Sequence, residues 1–200
     1  MLTKSIHHQM IRFVALFFVL LGIAQVASAQ TAYKVGAQPV MTLYGTSTLH
    51  NWTMTAHAFA CNAQFGLTGD NQLTSISGLS FSLPVHNLKS EHDGMNDNAY
   101  DALKADKYKD IVFKLTSAKV TSTGANKFQI MALGNLSIAG TTRPVTLTAA
   151  ALVNADGSVS CSGTVPLKLS EYNIQRPTFM LGTMSVGDAL TLNYALVFVK

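Results

Sequence analysis

What this chain does not carry narrows its function considerably. It has no G-x-S-x-G, no paired-carboxylate arrangement and no nucleophile–base motif, so nothing in it points to hydrolase or isomerase chemistry. H-x-H and H-E-x-x-H spacings are also missing, and a zinc site needs imidazoles converging within about 2.1 Å of one metal. No catalytic residue, metal or cofactor is therefore expected. A concentrated basic face is lacking too. Lys104, Lys107, Lys109, Lys114 and Lys119 are interleaved with Asp101, Asp106 and Asp110, which argues against nucleic acid as a partner. Asp93, Asp97 and Asp101 have helical spacing but no glycine-turn calcium loop around them, and they read as a solvated acidic face.

Cysteine is scarce, with only Cys61 and Cys161 present. In an oxidising compartment the pair can close a loop of about 100 residues, worth up to ~4.7 kcal/mol on the chain-entropy account. Cys161 also shares an alternation face with Val159, Val165, Leu167 and Leu169, which suits a buried free thiol equally well. Both readings stay open at this level.

Long apolar runs are scarce as well. The one at Phe13 to Ala24 is well short of the ~20 residues a transmembrane helix needs. Lys4 and Arg12 precede it and Ala27-Ser28-Ala29 follows, so residues 1–29 read as a signal peptide cut before Gln30. No cysteine follows the run to take a lipid anchor. The expected product is exported, periplasmic or extracellular, and spans residues 30–200 as one domain. Losing Lys4 and Arg12 lowers the formal charge of +4 by two.

What is present is period-two alternation. Leu190, Leu192, Tyr194, Leu196 and Phe198 share one face, and so do Ile111, Phe113 and Leu115. Phe128, Ile130, Ala132, Leu136 and Ile138 form a third such set. Leu79, Phe81, Leu83 and Val85, and then Val145, Leu147, Ala149 and Ala151, repeat it. This is the pattern of half-buried strands. Turn signals separate them at Gly69-Asp70-Asn71, Thr123 to Asn126, Asn154 to Gly157 and Val186-Gly187-Asp188. One stretch differs: Met95, Ala99 and Leu103 recur at helical spacing, predicting a short helix near 93–105 with Ser90 or Asp93 as its cap. The class is all-β. A barrel removes the exposed edges of such an array, while a sandwich fits the strand count nearly as well.

Four motifs in register decide between them by resemblance. Ser47-Thr48-Leu49-His50-Asn51-Trp52 opens the series. Leu88-Lys89-Ser90 with Met95, then Ala102 to Ala105 and Tyr108 to Phe113, forms the second. Gly134 to Val145 is the third. Tyr172 to Thr178, continued by Leu181-Gly182-Thr183 and Gly187-Asp188, is the fourth. Together they resemble the YceI-like family of secreted, lipocalin-like proteins, with Lys109, Asn96 and Arg176 as departures from its pattern. The resemblance implies an eight-stranded antiparallel barrel with one helix. It also implies an apolar ligand, such as a polyisoprenoid or fatty-acyl chain, held in the barrel interior.

On that fold the inward residues Phe81, Phe113, Leu115, Phe128, Ile130, Leu192 and Tyr194 are the candidate cavity lining. His50 and Trp52 belong to a barrel end, in a structural or head-group role. Arg143 and Arg176, each before a proline in a turn, are candidates for holding an anionic head group by the guanidinium fork. The expected partner is a lipid, with transient membrane contact. Residue chemistry alone favours a second reading, a barrel filled by its own side chains that acts through its surface as an envelope-stress or interaction module, and it is the resemblance that reverses this.

Overall fold

The computed structural model describes residues 30–179 and 184–200. The expected signal segment and the Leu181-Gly182-Thr183 motif lie outside the described residues.

The chain runs through β1 (Gln30–Val35), β2 (Val40–Thr46), β3 (Asn51–Ala56), β4 (Ala60–Leu67) and β5 (Leu73–Pro84). A 3-10 turn at Val85–Asn87 leads to β6 (Leu88–Lys89) and then α1 (Asp93–Ala102). Next come β7 (Asp110–Gly124), β8 (Lys127–Ile138), β9 (Thr141–Val153) and β10 (Val159–Lys168). A second 3-10 turn, Leu169–Tyr172, precedes the two-residue β11 (Thr178–Phe179) and β12 (Met184–Ser185), and β13 (Ala189–Val199) ends the chain.

Eight of these strands close a circuit: β1-β4-β5-β7-β8-β9-β10-β13 and back to β1. Each neighbouring pair in the circuit is antiparallel. The closure is narrow, with Lys34 opposite Val199 and Val35 opposite Phe198. Next to it, β13 pairs through Thr191–Ala195 with β2, which carries β3 and β6 outward as a side ribbon. One strand thus holds two consecutive segments of the N-terminal chain, which bend between them near Gln38 (φ 56°). The barrel, not the sandwich, is the architecture.

Alternation does the sorting that the sequence implied. In β8 every second residue from Phe128 to Ile138 is buried while Lys127, Gln129, Met131, Leu133 and Asn135 face out. The helix is shorter than its apolar spacing suggested, ending at Ala102 with Leu103 as its C-cap. Its start is also built differently from the expected cap. His92 holds the N-cap position without a side-chain bond. Buried Asn96 instead reaches back, its Oδ1 accepting from the Ser90 amide at 2.7 Å and the Ser90 hydroxyl at 2.9 Å. Tyr100 then ties the helix down by donating towards the carbonyls of His86 and Leu88, each at 3.1 Å.

Candidate ligand cavity

The barrel is filled at one end and hollow towards the other. Tyr33, Phe128, Val153 and Val159, all at most 3% exposed, pack the filled end. Above them lies a cavity of about 440 Å³, within the usual range for small-molecule sites. Its wall is apolar almost throughout, from Leu79 and Phe81 through Phe113, Ile130 and Leu147 to Leu192 and Leu196. No Asp, Glu or Arg of the described residues lines it. The polar lining groups include Ser47, His50, His92, Asn98, Lys168 and Ser185. They come from the β2–β3 turn, the N-cap and middle of α1, the end of β10 and β12, and mark the mouth.

The structure brings Phe81, Phe113, Ile130, Leu192 and Tyr194 together in this wall, with His50 and Trp52 at its rim. The rim turn is fixed locally. Ser47 Oγ donates to the His50 carbonyl at 2.9 Å and accepts from the His50 amide at 3.2 Å. Trp52 Nε1 donates to the Thr46 carbonyl at 3.0 Å.

Four expected site residues lie elsewhere. Phe128 faces inward but belongs to the packed end, one turn of alternation below Ile130. Leu115 is half-buried against the core, beside a register shift in β7. The Phe113 ring, lying over Gly134 opposite Leu115, takes the lining position. Arg143 and Arg176 are exposed and do not line the cavity. Tyr172 and Ile174, buried in the segment after β10, line that part of the wall instead.

Sequence reasoning missed the residues contributed by the side ribbon and the helix. Met41, Leu43 and Met54 come from β2 and β3, Met95 and Ala99 from α1, and Leu103 from its C-cap. The i, i+4, i+8 spacing of the last three was visible, and it marked the helix face that covers the cavity. Methionines at such positions adapt to ligands of varied shape.

Cys61 and Cys161 are free thiols, both buried and both in the cavity wall. The disulfide alternative is not realised in this structure. Burial pushes each thiol up to about 12, and burial does the same to Tyr194, again to about 12. All three are neutral at physiological pH, which matches the apolar wall. An unfolded thiol ionises near its ordinary 9.0, whereas the folded ones keep their protons until about 12. Stability is therefore expected to fall as pH rises from 9 towards 12. Replacing both cysteines with alanine should flatten that slope in urea titrations. An unchanged slope would show that the thiols are not the groups responsible. In the native protein at about pH 8, below even the ordinary thiol range, iodoacetamide should leave both unmodified.

Among the described residues no group of three or more His, Cys, Asp or Glu is placed to hold a metal ion. His86 meets Tyr100 edge-on with ring centroids 4.4 Å apart and does not line the cavity.

The sequence matches the YceI-like domain over residues 30–198. The chain belongs to the YceI-like family. Solved structures share the fold at low identity. Burkholderia cenocepacia BcnA is 18% identical with a TM-score of 0.62, the match covering 80% of this chain and 95% of that one. A polyisoprenoid binding domain from Saccharophagus degradans, implicated in plant cell wall breakdown, is 8% identical with a TM-score of 0.63, covering 83% and 97%. The Campylobacter jejuni YCEI protein is 20% identical with a TM-score of 0.51, covering 69% and 80%. No curated protein sequence matches the chain. The YceI-like fold here is the eight-stranded barrel with α1, and the hollow half is where its inward faces meet uncharged space.

Proposed function

We propose that this YceI-like protein is an exported carrier that sequesters a long apolar chain, polyisoprenoid or fatty-acyl, inside the barrel. The observation that carries the reading is the cavity of about 440 Å³ whose deep wall is uncharged. Burying hydrocarbon there contributes ~0.8 kcal/mol per CH₂, or roughly 4 kcal/mol per five-carbon isoprene unit. Association costs about 4–15 kcal/mol, so three or four units suffice for binding without a polar anchor. The Saccharophagus degradans structure, named for polyisoprenoid binding, supports the isoprenoid class. The reading assigns no catalytic step. On this reading the protein works in the periplasm or outside the cell, and the chain is loaded by transient membrane contact.

The packed end, with Tyr33, Phe128, Val153 and Val159, supports the second reading of a surface-acting module for that half only. Native mass spectrometry of protein purified without detergent, followed by lipid extraction, separates the two. The expected result is a stoichiometric apolar adduct. A bare mass, together with no uptake of added prenyl chains, would sink the carrier reading in favour of the interaction module.

A further inference from the structure

The barrel wall is not zipped all the way round. β9 and β10 pair only where Val153–Ala150 meet Val159–Ser162. Yet β10 stays on β13 as far as Lys168, and β9 stays on β8 as far as Thr141. Beyond Ser162 and Ala150 two antiparallel edges therefore face each other without a ladder.

The sequence supplies the reasons. Pro144 on β9 and Pro166 on β10 have no N–H to give and are tolerated at strand edges, not within a ladder. Gly163, the first residue past the pairing, has no side chain. Tyr194 crosses there from β13, its hydroxyl 2.5 Å from where a Cβ on Gly163 would stand. That hydroxyl donates to the Thr148 carbonyl on β9 at 3.5 Å, a long and exposed bond. At the far end Asn173 Nδ2 donates to Thr141 Oγ1 at 3.3 Å. Between these two side-chain bonds the wall is made of side chains alone. Leu147 and Val165, which continuing the register would set opposite each other, both line the cavity.

We propose that this split between β9 and β10 is a side entrance to the cavity, barred by Tyr194. The inference rests on the carrier reading and deepens it. A chain that slides in sideways keeps its head group in water throughout. The site therefore takes chains with bulky or charged heads, which would be costly to draw past an uncharged wall. Opening the split breaks at most two long side-chain hydrogen bonds and separates apolar side chains, whereas opening any fully paired strand boundary breaks a ladder.

The test is uptake of a fluorescent farnesyl chain from phosphatidylcholine vesicles, in a Cys61→Ala/Cys161→Ala background. Leu147→Cys with Val165→Cys, joined by a short thiol-reactive crosslinker, should take up the chain at least roughly 10-fold more slowly than the same protein before crosslinking, about 1.4 kcal/mol on the entry barrier. An unchanged rate overturns the side entrance and leaves the mouth as the route. If the double-cysteine protein does not fold, Tyr194→Leu decides alone. Several-fold faster uptake supports the entrance, and an unchanged rate overturns it. No uptake by the wild-type protein, with both cysteines in place, would instead overturn the carrier reading itself, and the entrance with it.

Discussion

Ala149→Trp is expected to abolish chain binding while leaving the barrel folded. Ala149 lies on β9 directly opposite Ile130, and both side chains line the cavity. An indole there has open space to enter, so the overpacking cost of about 1–3 kcal/mol that a filled core imposes is largely avoided. What it removes is the volume a chain would occupy. Affinity for a prenyl probe should fall at least about 100-fold, roughly 2.7 kcal/mol, in a fluorescence titration. The control is two residues on. Ala151 faces the same way but does not line the cavity, and it is 4% exposed in the packed end. Tryptophan at Ala151 should lower the melting temperature clearly, because no void receives it. If both variants behaved alike, the division of the barrel into filled and hollow halves would be wrong.

Phe65→Ala should be the most damaging single truncation. Phe65 is 2% exposed and packs edge-on against Tyr33 on β1 at 5.2 Å and against Phe198 on β13 at 5.5 Å. Those are the two strands whose short pairing closes the circuit. Removing the ring costs about 3–5 kcal/mol from transfer and cavity terms, and the stabilisation from both edge-on ring pairs disappears with it. Against a total of roughly 5–15 kcal/mol, that is a large share of the stability. Urea denaturation should show it as a lower midpoint with the slope preserved. A loss below about 1 kcal/mol would mean that the closure is held by something other than this cluster.

Much of the site is legible in the sequence because strand alternation is a local property. The inward orientation of Phe81, Phe113, Ile130, Leu192 and Tyr194 follows from parity along single strands. Met95, Ala99 and Leu103 announce an apolar helix face, although not what it covers. Arg143 shows the limit. It has the same parity as Val145 and Leu147, yet it sits at an exposed strand end where Tyr172 and Ile174 line the wall in its place. The start of α1 escapes the sequence for a similar reason. Ser90 does take part, but as a donor to Asn96 six residues on, in a turn geometry that spacing does not reveal.

The strands, the residues that face inward, the helix α1 and, through its motifs, the family are all written in the linear chain. Period-two patterning and turn chemistry act over a few residues and need no partner. Closure of the array is a property of the folded molecule, made through two residue pairs that join the first strand to the last. So is the position of the empty interior. Phe128 and Ile130 are neighbours on one face of one strand, yet the first is packed and the second borders open space. Whether a given height of the barrel is filled depends on side chains from strands far apart in the chain, and their volumes meet only once the circuit is closed.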